Sequence, residues 1–251
     1  MKKLLIVLLA FVMIFSLAAC GGQEETKVYL VGTEPTFPPF EFTNDAGEII
    51  GFDIDLIKAI AEDQGFEVEI KNLGFDGLIM AVQSENIDII ASGMTITEER
   101  EENVDFSTPY INAGLALAVA HGDDAIQSAD DLKGKKVAVQ IGTTGANEAQ
   151  RLMDEGIVAD VVTFNTVDVV MMELVNGGVD AVINDLPVTK AYMTKQPDKI
   201  QLVGEPLTSE SYGFAVAEGN EELLEMINTG LQNVIDDGTY DEIQAKYFEA
   251  E

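Results

Sequence analysis

Short apolar runs alternate with amphipathic segments along the chain from residue 28 onward. The apolar runs predict buried strands, and apolar residues spaced three or four apart predict helices that pack on them. This alternation is typical of α/β layers with largely parallel sheets. The predicted strands cover residues 28–32, 66–71, 87–91, 136–140, 160–164 and 179–183, and the predicted helices cover residues 53–64, 76–84, 146–155 and 167–176, with further helices within 221–248.

The same order of elements occurs twice, which predicts two similar halves. Residues 87–90 (IDII) follow one predicted helix, and residues 179–182 (VDAV) follow another. Each strand then runs into a polar loop, at residues 92–95 and at Asn184-Asp185. Because ligands of open α/β sheets lie beyond the carboxyl ends of the strands, we expect both loops to line one cleft. Chance similarity between hydrophobic βαβ units is the alternative.

Two further apolar strands, at residues 114–119 and 213–216, predict that the chain crosses from one half to the other and back. Two connections restrict the halves to hinge bending. We therefore expect a two-lobed clamp, with residues 27–114 and 209–251 in the first lobe and residues 115–208 in the second.

The N-terminus has a basic start, an apolar run over residues 4–15 and then small residues. A run this short is typical of an export signal, so residues 1–19 are predicted to be removed. Cys20 is the only cysteine, which excludes a disulfide within the chain. Residues 17–20 (LAAC) resemble a bacterial lipobox, which implies a lipid on Cys20, a tether over residues 20–26 and an exported protein anchored to the outer face of the cell membrane. An ordinary secretory signal with an incidental cysteine is the alternative.

The charge of the chain excludes some partners. It carries 14 basic and 45 acidic side chains, for a formal net charge of -31. Nucleic acids and anionic lipids are bound by clustered Lys and Arg, so nucleic-acid binding is excluded. The acidic charge either steers cationic solutes inward or keeps the protein soluble.

Metal and nucleophilic chemistry are limited because the necessary side chains are rare. His121 is the only histidine and lies in a predicted loop. A zinc site of the His and Cys type needs three or four ligands, and a Ser-His or Cys-His nucleophile needs its base beside it. A phosphate-binding glycine loop with its lysine and an HExxH motif are both missing from the sequence. We therefore expect no metal, no cofactor and no enzymatic activity.

Arg100 is one of two arginines in this acidic chain and closes the run SGMTITEER at residues 92–100. A guanidinium offers two parallel donors to a carboxylate and stays charged at any working pH. Free amino acids carry such a carboxylate. The alternative is a surface arginine paired with Glu98 or Glu99.

Essentially the whole mature chain resembles the family 3 bacterial solute-binding proteins, the polar amino-acid receptors of ABC importers. The motifs that carry the resemblance are GTEPTFPPFEF at 32–42, GFDIDL at 51–56, SGMTITEER at 92–100, QIGTTG at 140–145 and Asn184-Asp185. The resemblance implies a type II periplasmic-binding-protein-like fold, whose two α/β lobes are joined by two crossing strands and close over a free L-amino acid. It also implies a permease and its ATPase as partners, and we expect a monomer.

Matching positions in that family hold the two charged ends of the amino acid. The pattern Thr95-Ile96-Thr97-Glu98 is typical of a capping box, so a helix is expected to begin at Thr95 and to offer backbone N–H groups. With Arg100, these groups would bind the α-carboxylate. Gly93 and Met94, in the same loop, are assigned to the ligand site as well.

The second half is expected to supply the remaining contacts to the ligand backbone. Asp185 would accept hydrogen bonds from the α-ammonium, and capping of the helix that follows it is an additional role. Thr143 and Thr144 precede a helix expected near residue 146. They would either point further donors at the carboxylate or only cap that helix.

The choice of amino acid depends on Glu34 and Gln140. If the ligand's backbone charges are cancelled, an ionised Glu34 leaves one negative charge that a cationic side chain would neutralise. Phe37 and Phe75 match family positions that stack on the ligand side chain, which suits the flat guanidinium of arginine. Arginine is therefore expected first, then lysine, ornithine and histidine. Glutamine is the alternative if burial keeps Glu34 protonated, but glutamine-binding relatives typically have a lysine at the position of Gln140.

An enzyme resembling cyclohexadienyl dehydratase is the remaining alternative, because some relatives with this fold act on cyclic acids. Such an enzyme would need a protonated carboxylic acid over its substrate, for which Glu34 is the candidate. Arg100 and Asp185 favour a receptor, since they recognise a zwitterion and have no evident catalytic use.

Overall fold

Two five-stranded sheets form the framework of the protein, and helices pack against both of them. The computed structural model describes residues 26–248. The predicted export signal at residues 1–19 and the predicted lipid attachment at Cys20 lie outside the described residues. We call the part of the chain around the first sheet the first half and the part around the second sheet the second half.

The strands are β1 (Val28–Thr33), β2 (Thr36–Phe37), β3 (Glu41–Thr43), β4 (Ile49–Ile50), β5 (Glu67–Asn72), β6 (Ile89–Ile90), β7 (Val104–Phe106), β8 (Ile111–Ala113), β9 (Leu115–Ala120), β10 (Lys136–Gln140), β11 (Asp160–Phe164), β12 (Ala181–Asp185), β13 (Ile200–Val203), β14 (Glu210–Tyr212) and β15 (Ala215–Ala217). The α-helices are α1 (Phe52–Gln64), α2 (Leu78–Gln83), α3 (Glu98–Glu101), α4 (Thr144–Asp154), α5 (Val167–Val175), α6 (Leu186–Lys195), α7 (Glu221–Asp236) and α8 (Thr239–Phe248). Short 3₁₀ turns cover Phe75–Gly77 and Ala129–Leu132.

Each five-stranded sheet combines parallel and antiparallel strands. The first has the order β5-β1-β6-β15-β7, in which β1 is parallel to β5 and β6, and β15 is antiparallel to β6 and β7. The second has the order β11-β10-β12-β9-β13, in which β10 is parallel to β11 and β12, and β9 is antiparallel to β12 and β13. The predicted α/β class is confirmed, although the sheets are less completely parallel than expected.

The chain crosses between the halves twice, through strands that lie side by side. β8 leads from the first sheet to β9 in the second sheet, and β14 leads from the second half back to β15. β8 and β14 pair with each other in an antiparallel ribbon. The two predicted strands at 114–119 and 213–216 exist, but they belong to the main sheets, and the crossing strands directly precede them.

Glycines set several boundaries that the sequence pattern placed differently. The predicted helix at 76–84 is a 3₁₀ turn followed by α2, since glycines at 74 and 77 disfavour a continuous helix there. α7 and α8 are separated at Gly238, whose φ of 89° suits glycine.

None of the helices within residues 26–248 is long and apolar enough to cross a membrane.

Gly51 lets the three-stranded sheet of β2, β3 and β4 approach the start of α1. Its φ is 140°, and a Cβ atom at this position would lie 2.1 Å from the carbonyl oxygen of Phe40. Phe52 and Asp53, the next two residues, are fully buried in α1. The glycine at the start of the motif GFDIDL therefore has a steric cause.

We predict that Gly51→Ala lowers the free energy of unfolding by about 3 kcal/mol or more, because it adds a backbone clash to the strain of a positive φ. The matched control is Gly47→Ala, which also has a positive φ but no atom within 4 Å of the added Cβ. That control should lose only about 1 kcal/mol. Urea denaturation of both variants checks this, and equal losses would contradict the steric argument.

Candidate functional site

Arg100 is buried, with 9% of its surface exposed, and its guanidinium joins the two halves. Nη1 donates to the carbonyl oxygen of Thr95 at 2.8 Å, and Nη2 donates to that of Gly142, in the second half, at 3.0 Å. The ring of Phe75 lies 5.5 Å from the guanidinium carbon. Within residues 26–248, Arg100 forms no salt bridge, so the surface ion pair considered from the sequence is not made. A buried cation without an anionic partner is suited to a bound anion.

The short helix α3 brings Arg100 to this position. Thr97 caps the helix by accepting a hydrogen bond from the N–H of Arg100 at 3.2 Å. The capping box predicted at Thr95 is therefore wrong by two residues, because Thr95 is paired with Tyr212 in a β-bridge. The Thr95 hydroxyl donates to Glu210 at 3.1 Å, and none of the described residues accepts a hydrogen bond from its N–H.

Asp185 ends β12 in the second half and is buried. It precedes α6, but its side chain makes no capping hydrogen bond, so the capping role considered from the sequence is absent. Its Oδ1 has no hydrogen-bond partner among the described residues. Burial, followed by the charge of Glu210, raises the pKa of Asp185 to about 7, while Tyr212 and Arg100 lower it. The Tyr212 hydroxyl lowers this pKa by hydrogen bonding to Asp185, although the geometry is too poor to satisfy Oδ1.

Thr143 and Thr144 have different roles at the start of α4. Thr143 caps the helix by accepting from the N–H of Ala146 at 3.1 Å, and it donates to the carbonyl of Gln140 at 2.7 Å. Thr144 is the first helical residue, so its N–H has no acceptor within the helix. The Thr144 hydroxyl donates to Glu210 at 2.9 Å. The helix thus begins two residues before the predicted start, and the N–H groups of Thr143, Thr144 and Gly145 have no acceptor among the described residues.

Glu34 is buried and is held by donors from both halves. Its Oε2 accepts from the Thr36 hydroxyl at 2.7 Å and from the Gln140 amide at 3.0 Å. The same Gln140 nitrogen donates to the carbonyl of Asn165 at 3.0 Å. Burial raises the pKa of Glu34, and the hydrogen bonds from Thr36 and Gln140 oppose that rise. Glu34 and Gln140, which the sequence analysis assigned to the same ligand site, are therefore hydrogen-bonded to each other.

The other predicted site residues differ in how close they lie to Arg100 and in how deeply they are buried. Phe75 is half-buried beside Arg100, whereas Phe37 is buried, with its ring centroid 6.4 Å from that of Tyr212. Gly93 has a φ of 51°, and a Cβ there would lie 2.7 Å from the ring of Phe37. Met94 is 1% exposed and belongs to an apolar cluster, so its side chain is part of the core.

Two buried acids hold the loop that leads to Thr95. Asp53 accepts from the N–H of Gly93 at 2.8 Å and from the hydroxyl of Tyr110 at 2.6 Å. Glu41 accepts from the hydroxyl of Ser92 at 3.2 Å. Burial raises the pKa of Asp53 to about 6 and holds that of Glu41 well above its usual value. The Gly93 N–H is therefore already used inside the first half.

Two residues at the site were missed by the sequence reasoning. The first is Glu210, which accepts hydrogen bonds from threonines of both halves. The second is Thr36, whose hydroxyl accepts from the N–H of Val167 at 3.1 Å. The carbonyl oxygen of Thr36 accepts from the hydroxyl of Tyr192 at 2.9 Å. These bonds, with those of Arg100 and Glu34, join the halves in a closed arrangement. Thr36 lies within the motif at 32–42, but the sequence carries no signal of these contacts, because each depends on packing between distant segments.

Buried charge, and not empty volume, distinguishes the site around Arg100 and Asp185. A cavity of about 920 Å³ lies elsewhere between the halves and is lined by residues such as Pro38, Phe42, Leu186, Lys190 and Tyr247. Buried polar groups without partners are rare and point to a ligand more directly than an open groove does. Within residues 26–248, no group of His, Cys, Asp and Glu is arranged to hold a metal ion.

Comparison with known proteins gives consistent matches. The family model for bacterial extracellular solute-binding proteins, family 3, matches residues 29–250. A probable histidine-binding protein of Neisseria gonorrhoeae is 37% identical over 248 residues, which cover 94% of this chain and 92% of that protein.

Solved structures match the fold over most of the chain. An ancestral arginine-binding protein bound to arginine is 48% identical, has a TM-score of 0.85 and covers 88% of this chain and 98% of its own. An ancestral arginine-binding protein bound to glutamine is 47% identical, has a TM-score of 0.85 and covers 90% of this chain and 100% of its own.

We predict that Asp185→Asn stabilises the protein without ligand at pH 8 by about 1 to 3 kcal/mol. The folded pKa is raised, so the native state binds the proton more tightly than the unfolded chain does. Wild-type stability therefore falls as the pH rises from about 4 to about 7. The amide avoids this loss.

Urea denaturation at pH 4 and pH 8 checks the prediction, with exposed Asp198→Asn as the matched control. The gain from Asp185→Asn should be small at pH 4 and larger at pH 8, and the control should show neither. An equal gain in stability at both pH values would contradict the claim that ionisation of the buried Asp185 carboxyl group destabilises the folded protein.

Proposed function

Because this chain belongs to the bacterial extracellular solute-binding proteins of family 3, we propose that it is the extracytoplasmic receptor of an ABC importer and binds an L-amino acid between its halves. The observation that supports this most strongly is the buried guanidinium of Arg100, which lacks a carboxylate partner, together with the buried Asp185 oxygen that lacks a donor. A zwitterion would satisfy both groups and bring no net charge into the cleft.

In this proposal Arg100 of the first half and Asp185 of the second half bind opposite ends of the ligand. The α-carboxylate is bound by the Arg100 guanidinium and by the backbone N–H groups of Thr95 and Thr144. Asp185 accepts the α-ammonium. The hydroxyls of Thr95 and Thr144 take no part, since both already donate to Glu210.

We propose a basic ligand, with arginine first and then lysine, ornithine and histidine. The two hydrogen bonds that Glu34 accepts favour its ionised form, and Glu210 adds a second negative charge, which acts on Asp185. A cationic side chain would offset this charge, and Phe75 offers a ring beside the site. Glutamine is the alternative ligand, supported by the raised pKa of Glu34.

A panel of the twenty amino acids plus ornithine tests the receptor proposal by thermal shift. A ligand that binds only the native state raises the melting temperature by mass action. We expect the largest shift with arginine. A panel in which no amino acid changes the melting temperature would contradict the receptor function.

Glu34→Gln tests the choice of side chain. We predict that it weakens arginine binding by on the order of 10- to 100-fold, because it removes the charge that matches the ligand guanidinium, and that it changes glutamine binding far less. Calorimetry with both ligands measures this, with exposed Glu62→Gln as the control for net charge. Equal losses for the two ligands would contradict charge matching.

We also propose the cellular context expected from the sequence. Residues 1–19 act as an export signal, the lipid on Cys20 anchors the protein to the outer face of the cell membrane, and a permease and its ATPase are the partners of a monomeric receptor. The proposed lobes are residues 27–114 with 209–251, and residues 115–208. The position of the β8 and β14 ribbon between the two sheets supports a hinge there.

A dehydratase is the second candidate, favoured by the raised pKa of Glu34, which would help to keep a proton on this carboxyl group. Against this, Thr36 and Gln140 both donate to its Oε2, and donors of this kind stabilise the carboxylate. We therefore propose binding without turnover.

A further inference from the structure

Glu210 lies in β14, one of the two strands that cross between the halves, and its half-buried carboxylate receives three hydrogen bonds. Oε2 accepts from the hydroxyls of Thr95 at 3.1 Å and Thr144 at 2.9 Å. Oε1 accepts from the hydroxyl of Thr208 at 2.8 Å, and Thr208 accepts from the N–H of Leu115, the first residue of β9, at 2.9 Å. One side chain thus links both crossing segments to both halves.

The two threonines on Oε2 come from opposite halves, so only a closed arrangement brings both hydroxyls to one oxygen. The Thr144 N–H has no acceptor within its helix, and the Thr95 N–H has none among the described residues. Because both side chains are tied to the same atom, the separation between these two N–H groups is fixed as well. Two donors at a fixed separation are preorganised for a single anion.

We infer that Glu210 is a positioning residue for the bound amino acid. It fixes the distance between the backbone N–H groups of Thr95 and Thr144 when the halves are closed. Glu210 does not touch the ligand and acts through the two threonines. This inference rests on the receptor function proposed above.

The charge of Glu210 is also expected to affect the pH dependence of ligand binding. The charged and titratable groups that act on Asp185 or respond to it are Glu210, Arg100, Tyr212 and Glu41. Glu210 raises the pKa of Asp185, whereas Tyr212 and Arg100 lower it. Asp185 must be ionised to hold an ammonium group, so loss of the Glu210 charge should extend ligand binding to lower pH.

The test compares Glu210→Ala and Glu210→Gln by calorimetry with arginine between pH 5 and pH 8. Glu210→Ala is expected to weaken binding by on the order of 10- to 100-fold, because both threonines lose their common acceptor. Glu210→Gln is expected to lose less, since its amide oxygen still accepts hydrogen bonds. The pH at which Glu210→Gln has half of its maximal affinity for arginine should be lower than in the wild type by about half a unit or more. Glu205→Gln, exposed in the preceding loop, is the control for net charge.

Small-angle scattering without ligand adds a readout that does not depend on binding. Glu210→Ala should have a larger radius of gyration than the wild type, because the bridge between the halves is lost. If Glu210→Ala does not fold, the arginine affinity and the radius of gyration of Glu210→Gln at pH 8 decide. Failure of the wild type and Glu205→Gln to bind any amino acid would refute the receptor proposal. Normal wild-type binding, with Glu210→Ala within twofold and no midpoint shift in Glu210→Gln, would refute the role of Glu210 alone.

Discussion

The burial of the Arg100 guanidinium without a carboxylate partner is the constraint on which the site depends. Carbonyl oxygens from Thr95 and Gly142 satisfy part of its hydrogen-bonding capacity but do not neutralise its charge. Removing a charge from water is costly unless an opposite charge replaces the solvent. Asp185 is too far for a salt bridge and has an unsatisfied oxygen of its own. The closed protein therefore contains two opposite charges that a single dipolar molecule can satisfy together.

The topology explains why these charges come from different halves. Arg100 follows β6 in the first sheet, and Asp185 ends β12 in the second, so each lies at the carboxyl end of a parallel strand. The antiparallel ribbon of β8 and β14 connects the sheets, and we propose that it limits their relative motion to bending. A ligand that touches both loops favours closure because its full set of contacts exists only in the closed state. Glu210 lies on this ribbon and links the hinge to the loops.

The sequence predicted the fold class because its signals are local, and it assigned Arg100 and Asp185 to the ligand site, which remains a prediction. Apolar runs revealed the strands, and a rare arginine in an acidic chain indicated an anion site. The errors have physical causes. Thr95 resembled a helix cap but is held by a bridge to Tyr212, which is distant in the chain. Glu210 lies in a strand of three residues, too short for any periodic pattern, and its partners are 115 and 66 residues away.

A crystal structure of the protein with arginine tests the central claim most directly. The account predicts the ligand carboxylate on Arg100 and on the N–H groups of Thr95 and Thr144, with the α-ammonium on Asp185. It would be contradicted if the Arg100 guanidinium made no contact with the ligand and the amino acid were bound elsewhere, for example in the cavity beside Lys190.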